Sequence, residues 1–390
     1  MFLISSAQAH SHPRRKEMSV RQAATDERLT SLQSLRAIAA LLVLLHHVMK
    51  MPGPASSAGV YALKLTFGPF CSSGVDLFFV ISGFVIAHSI SSERAAPAHI
   101  FLAGRAIRIF PLFWVMSAIY GWQLWSSGSP ISGTALANAI TLMPLSGQEG
   151  YTYPILYVGW SLAFEIGFYI LAGLTILQAR ARRAPALLIL LTCLSAVGTF
   201  AGGLAGPMAF FLNPITLEFA FGVVAWILWR KGLNAKIAAG LTAVGFTLFV
   251  SGLFINIGQG FETDPAKIIA NITSLQRALI WGLPAAMLLL GLVATSPLKG
   301  SADHLLARIG DASFSLYLVH PLVLFQIRQV RLPIWINNDL VFMALLILLS
   351  VAAALLMHEY IEKPIIRWGK IVTGKRALSP VIVCRAPPLQ

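Results

Sequence analysis

The sequence predicts an all-α polytopic membrane protein with about ten transmembrane helices and both termini cytoplasmic. Of its 390 residues, 57% are hydrophobic and only 11% are charged, against about 25% charged in a soluble domain. Ten stretches are apolar over the roughly 20 residues a bilayer-spanning helix needs. The 29 basic residues fall unevenly between alternate connecting segments, as the positive-inside rule requires. The high hydrophobicity also excludes a disordered chain.

The chain opens with residues 1–30, read as a loosely structured cytoplasmic tail. Its short apolar start lacks the preceding basic residues and the length of a cleaved signal. Met18 offers an alternative start inside it. A membrane domain over 31–368 and a cytoplasmic tail over 369–390 follow. The ten spans are expected near 32–51, 69–90, 107–125, 156–178, 185–205, 208–229, 237–257, 275–296, 312–330 and 339–358. Lipid-facing open sheets are excluded, because backbone groups must satisfy themselves in hydrocarbon. A barrel would show alternation rather than continuous apolar runs.

With ten spans and the termini inside, the inner segments collect 23 Lys and Arg and the outer segments six: Lys50, Lys64, Lys267, Arg277, Arg328 and Arg331. Charge spread over many inner segments argues against nucleic-acid binding, which needs one patch. Cys71, Cys193 and Cys384 are far apart and form no metal or disulfide pattern. No metal is expected.

Ionisable residues inside spans are costly and mark functional candidates. In LRAIAALLVLLHH, Arg36 and His47 are eleven residues apart, about 16.5 Å of rise and three turns plus about 20° on a helix. They share a face, with Arg36 at the inner end and His47 toward the outer. His46 is rotated about 100° away and is expected to face elsewhere. Alternatively, His47 reaches only for the interface. Asp76, in SSGVDLFFVISGFVI, lies near the depth of His47. It either hydrogen-bonds that imidazole or caps its own helix. Gly74 and Gly83 would permit close helix packing. Arg105 and Arg108, in GRAIRIFPLFW, are helix neighbours suited to clamping phosphate or merely marking the inner interface.

Glu165, in WSLAFEIGFYI, and Glu218, in NPITLEFAFG, are carboxyls deep in their spans. Each serves as acid–base machinery, an orienting partner or a polar strut. His320, in FSLYLVHPLVLF, precedes Pro321, so it either lines a cavity at a kink or bonds a backbone carbonyl.

Taken in order, LQSLRAIAALLVLLHH, GVDLFFVISGFVI, RAIRIFP, WSLAFEIGFY, LEFAFG, SFSLYLVHP and HEYIEKPIIRW resemble the acyltransferase-3 family of bacterial integral membrane acyltransferases. Within it the chain looks most like the exopolysaccharide-production O-acetyltransferases. The resemblance runs from about residue 32 to 368. It implies transfer of an acyl group, usually acetyl, from cytoplasmic acyl-CoA (acetyl-CoA as cosubstrate) to a carbohydrate hydroxyl. The acceptor would be an extracytoplasmic polysaccharide or a lipid-linked oligosaccharide, and the location a bacterial inner membrane. It points to His47 as catalytic residue, Arg36 as its motif partner, and Arg105 and Arg108 as the element associated with the acyl donor. The family often carries further acidic residues after the WSL segment, where this chain has Ile166 and Gly167.

On this reading Arg36, Arg105 and Arg108 bind the donor, while His47, with Asp76 or Glu165 orienting it, acts as base or accepts the acyl group. Glu218 and His320 would line the substrate cavity. Two rivals remain in view: a proton-coupled transporter of a saccharide or metabolite, which needs intramembrane His, Asp and Glu, and an assembly subunit of an export complex.

Overall fold

A computed structural model describes residues 11–51, 58–93, 95–147, 150–201, 206–259, 265–295, 301–330 and 338–373. Each of the ten predicted stretches is mainly helical where described. The helices that frame the site are α1 (Ser11–Lys50), α2 (Ala58–Cys71), α3 (Gly74–Ser91), α4 (Ala98–Ser126) and α5 (Gly133–Thr141), then α6 (Gly159–Thr175), α7 (Arg180–Phe200), α8 (Gly206–Phe211) and α9 (Leu217–Lys231). The second half adds α10 (Ala235–Gln259), α11 (Pro265–Ile269), α12 (Ser274–Arg277), α13 (Leu283–Thr295), α14 (Ser301–Asp311), α15 (Ser313–Gln329), α16 (Asp339–Met357) and α17 (Lys363–Val372). Among the described residues the only strand pairing joins Ser146–Gly147 to Gly150–Tyr151.

Seven segments of the described chain are long and apolar enough to cross a membrane. The remaining three predicted spans are shorter helices: α6 and α15 have 17 residues each and α9 has 15. The chain is a multi-pass membrane protein. The expected loose tail differs from what is seen. α1 begins at Ser11 and runs without interruption into the first span; its Arg, Lys, Glu, Gln and Ala are good helix formers. Residues 1–10 and 374–390 lie outside the described residues, and with them most of the expected C-terminal tail.

The second span is broken. α2 and α3 meet at Ser72 and Ser73, where the Ser72 hydroxyl donates to the Pro69 carbonyl at 2.7 Å. Two further segments widen into π turns, at Ala278–Gly282 and His358–Glu362. Such single-turn widenings are often found at functional sites.

Small residues bring the backbones together. A Cβ on Gly83 would collide with the Phe219 carbonyl oxygen of α9, and one on Gly222 with the Val80 carbonyl oxygen of α3. The two glycines therefore let α3 and α9 touch main chain to main chain, the close approach that membrane helices use in place of a hydrophobic driving force. The stacked rings of Phe79 and Phe219, 4.6 Å between centroids, fill the remaining space.

Candidate active site

Helix α1 carries the two ends of the site. Because α1 is continuous, Arg36 and His47 keep their expected separation of about 16.5 Å along one helix. At the Lys50 end, a cavity of about 480 Å³ opens between α1, α4, α12, α15 and the segment before α6. At the Arg36 end, charged side chains gather.

His47 lines the cavity. Its Nδ1 is 2.9 Å from the carbonyl of Val43, four residues back. A carbonyl only accepts, so Nδ1 carries the proton and Nε2 keeps its lone pair. His320 repeats the arrangement: its Nδ1 donates to the Leu316 carbonyl at 2.9 Å. Its Nε2 is buried without a partner among the described residues. The two imidazole centroids are 4.9 Å apart. Tyr157 faces His47 at 5.5 Å, and Tyr317 faces His320 at 6.1 Å.

His46 also reaches this cavity, contrary to the helical-wheel expectation. A rotation of 100° is less than half a turn, and the cavity is wide enough to span it. Its Nδ1 donates to the Gly68 carbonyl at 2.7 Å, which ties α1 to α2. All three imidazoles thus share one tautomer, set by main-chain carbonyls.

Asp76 does not orient His47, nor does Glu165. Asp76 is 1% exposed and ion-paired with Arg277, a residue counted above only for topology. Arg277 Nε donates to Oδ1 at 3.2 Å and its Nη2 to Oδ2. Its Nη1 donates to Ser72 Oγ at 3.1 Å, so the guanidinium closes the break between α2 and α3. Glu218 stands behind this pair, fully buried and within hydrogen-bonding reach of Asp76. No N–H or hydroxyl donor reaches either of its oxygens among the described residues. Asp76, Glu218 and Arg277 thus form a compact buried trio. Arg277 was discoverable: it lies three residues inside its predicted span. Glu218 and His320 both pack behind the cavity wall instead of lining it.

The other end holds Arg36, Arg105, Arg108 and Glu165, joined by Glu362. The Arg105 guanidinium lies 5.4 Å from the ring centroids of both Phe101 and Tyr169. Glu165 accepts from Ser82 Oγ at 3.1 Å and from the Tyr169 hydroxyl. The charges acting on Arg36 are Arg108, Glu362, Glu165 and Asp311. Glu362 is 3% exposed and accepts from Ser315 Oγ and His358 Nδ1, each at 2.7 Å. It is the Glu of the E-x-P ending, visible as a motif but given no role from sequence. Glu165 therefore belongs to the arginine end, where Ser82 and Tyr169 hold it.

One helix connects the ends. α15 places Ser315 on Glu362, Tyr317 between Ser161 Oγ at 2.6 Å and the Val158 carbonyl at 2.8 Å, and His320 beside His47. Pro321, Phe325 and Arg328 continue it along the cavity wall. Among the described residues no cluster of His, Cys, Asp or Glu is suited to hold a metal ion.

The comparisons with known proteins point one way. Residues 29–359 match the acyltransferase domain model of the acyltransferase-3 family. The exopolysaccharide production protein ExoZ of Rhizobium meliloti (strain 1021) is 27% identical over 311 residues, 77% of this chain and 90% of that protein. The acyltransferase MdmB of Streptomyces mycarofaciens is 27% identical over 385 residues, 87% of this chain and 92% of its own. Nodulation protein 10 of Rhizobium leguminosarum bv. viciae is 25% identical, with 88% and 94% covered. No solved structure matches. The matched region contains both histidines, the arginine end and the connecting helix α15, and on these grounds the chain belongs to the acyltransferase-3 family of membrane acyltransferases.

Proposed function

We propose that this acyltransferase moves an acyl group, acetyl in the first instance, from cytoplasmic acyl-CoA to a hydroxyl of an extracytoplasmic or lipid-linked polysaccharide. It would do so from a bacterial inner membrane, with ten crossings and both termini inside. The observation that carries the reading is the division of the site. His47 stands in a cavity of about 480 Å³, and Arg36 stands eleven residues away on the same helix, beside Arg105 and Arg108. The similarity to a protein named for exopolysaccharide production supports the choice of acceptor.

The arginine end faces the cytoplasm on the charge distribution derived above. Phe101 and Tyr169 lie against the Arg105 guanidinium, whose planar fork of N–H groups suits a phosphate. The acyl-pantetheine arm then spans the membrane interior toward His47. The acceptor enters from the opposite side, over the tyrosines.

His47 Nε2, the ring nitrogen left basic by the bond to Val43, takes the proton of the acceptor hydroxyl as its oxygen attacks the thioester carbonyl. The C–O bond forms, the C–S bond breaks, and the proton passes to the departing thiolate. A carbonyl fixes the tautomer but does not neutralise an imidazolium. The His47 proton is therefore held only transiently, which suits a base better than a resting cation. His320, buried behind His47 with the two ring centroids 4.9 Å apart, is placed to support the His47 ring as it takes up the proton. Walls that exclude bulk water protect the thioester from hydrolysis.

Mass spectrometry of surface polysaccharide from cells with and without the protein tests this reading, with His47→Ala as the third sample. Acylated glycan should appear only with the intact protein. Equal acylation in all three would overturn it.

A further inference from the structure

The cationic side chains of the cavity have no part in the transfer chemistry. Only six of 29 basic residues fall on the outer side in the topology adopted above. Three of those six, Lys50, Arg277 and Arg328, line the cavity of about 480 Å³. Among the described residues no Asp or Glu lines it. A random scatter of six outer cations would not favour this wall, and the positive-inside rule acts against cations there.

The three differ in their surroundings. Arg277 is matched by Asp76 and serves as a structural member. Arg328 is exposed and takes part in no ion pair among the described residues. It stands on α15, two turns beyond His320, where its charge acts on Tyr120. The Tyr120 ring is 5.6 Å from Phe325 and 6.1 Å from Tyr157. Lys50 ends α1, three residues after His47. The cavity thus combines His46 and His47, an aromatic wall and positive charge at two edges. Aromatic faces accept the C–H faces of a sugar ring. Excess cations in a partly enclosed cleft draw and retain anions.

Resting on the acyltransferase reading above, we infer that the acceptor carries a negative group close to the hydroxyl that is acylated, and that Arg328 binds it. Two sources supply such a group: a carboxylate on the glycan, as in a uronic acid or an acidic ketal, and the diphosphate of a lipid-linked oligosaccharide. Either would be held by a charge-assisted contact from Arg328 while the sugar lies against Tyr120 and Tyr157.

The test uses the full-length protein in membrane vesicles with labelled acetyl-CoA. Four acceptors are compared: the extracted surface polysaccharide, the same material after carboxyl reduction, the lipid-linked oligosaccharide, and that oligosaccharide after removal of its diphosphate. Arg328→Gln and Arg328→Glu are expected to raise the apparent KM for the acceptor by about tenfold or more. They should leave the KM for acetyl-CoA unchanged, and Arg328→Lys should recover most of the loss. Loss of transfer on carboxyl reduction assigns the anion to the glycan, and loss on diphosphate removal assigns it to the lipid carrier. Equal transfer to charged and neutral acceptors, with no acceptor effect of Arg328→Glu, would overturn the inference while leaving the acyltransferase reading intact. Absence of transfer by the unaltered protein to every acceptor would overturn both.

Discussion

His47 and His320 face each other with ring centroids 4.9 Å apart, each giving its Nδ1 proton to the carbonyl four residues before it in its own helix. They come from helices at opposite ends of the sequence and share no motif. The pairing sets a buried imidazole against one that lines the cavity, both held by main-chain carbonyls.

Replacing His47 with Ala is expected to lower kcat by about 10²–10⁴-fold, the usual range for loss of a general base. The protein should reach the membrane in normal amount. The measurement is label transfer from acetyl-CoA in vesicles matched for protein content. Retention of full kcat would exclude His47 as the base.

His320→Ala separates a role at the substrate from packing. A fall in kcat of about 10²-fold would match a group that handles the reacting proton. Unchanged kcat with lowered thermal stability would mark His320 as a packing residue beside Pro321.

Arg105→Ala should act on the donor. The expected effect is a rise of about tenfold in the KM for acetyl-CoA, the value of a charge-assisted phosphate contact, with the acceptor KM unmoved. Arg105→Lys should recover little, because Lys lacks the planar, bidentate fork of the guanidinium. An unchanged acetyl-CoA KM would leave Arg105 as a topology residue.

Arg277→Ala removes the only cation of the buried trio. Breaking a buried pair costs about 3–5 kcal/mol, because the remaining charge is left uncompensated. Melting temperature in detergent should fall steeply. Adding Asp76→Asn should recover part of it, since no ionised carboxylate then remains unmatched. A single variant as stable as the parent would contradict the arrangement.

Gly83→Val tests the contact between α3 and α9. The side chain would have to displace the Phe219 carbonyl, an overpacking that typically costs about 1–3 kcal/mol. Thermal melting of the purified protein reads the loss, and an unchanged midpoint would mean that the helices separate more easily than described.

Sequence made the helices legible because apolar run length is a property of each segment alone. The ten stretches are mainly helical where described, and His47 lines the cavity with His320 buried beside it. What it hid depends on rotation and on partners. Asp76 was read at the depth of His47, but depth does not say which neighbour its helix turns it toward. The answer is Arg277, which had been absorbed into the charge count. Glu165 was treated as a companion of His47, yet its span carries it to the arginine end, where Ser82 and Tyr169 hold it. The break at Ser72–Ser73 was hidden as well, because α2 and α3 together read as one apolar run and Pro69 is accommodated inside α2.

The family assignment also weighs on the rivals. A transporter or an assembly subunit accounts for intramembrane His, Asp and Glu, but the chain is an acyltransferase by its family and relatives.

The glycine contact between α3 and α9 has a consequence for how such an enzyme changes. Where two helices touch through main-chain atoms, their spacing is indifferent to most of the side chains around them. The tyrosines and cations of the cavity can then be exchanged without moving the frame that carries the histidines. Selection for a new acceptor would meet little structural resistance at those walls, and almost none of the tolerance would extend to Gly83 or Gly222.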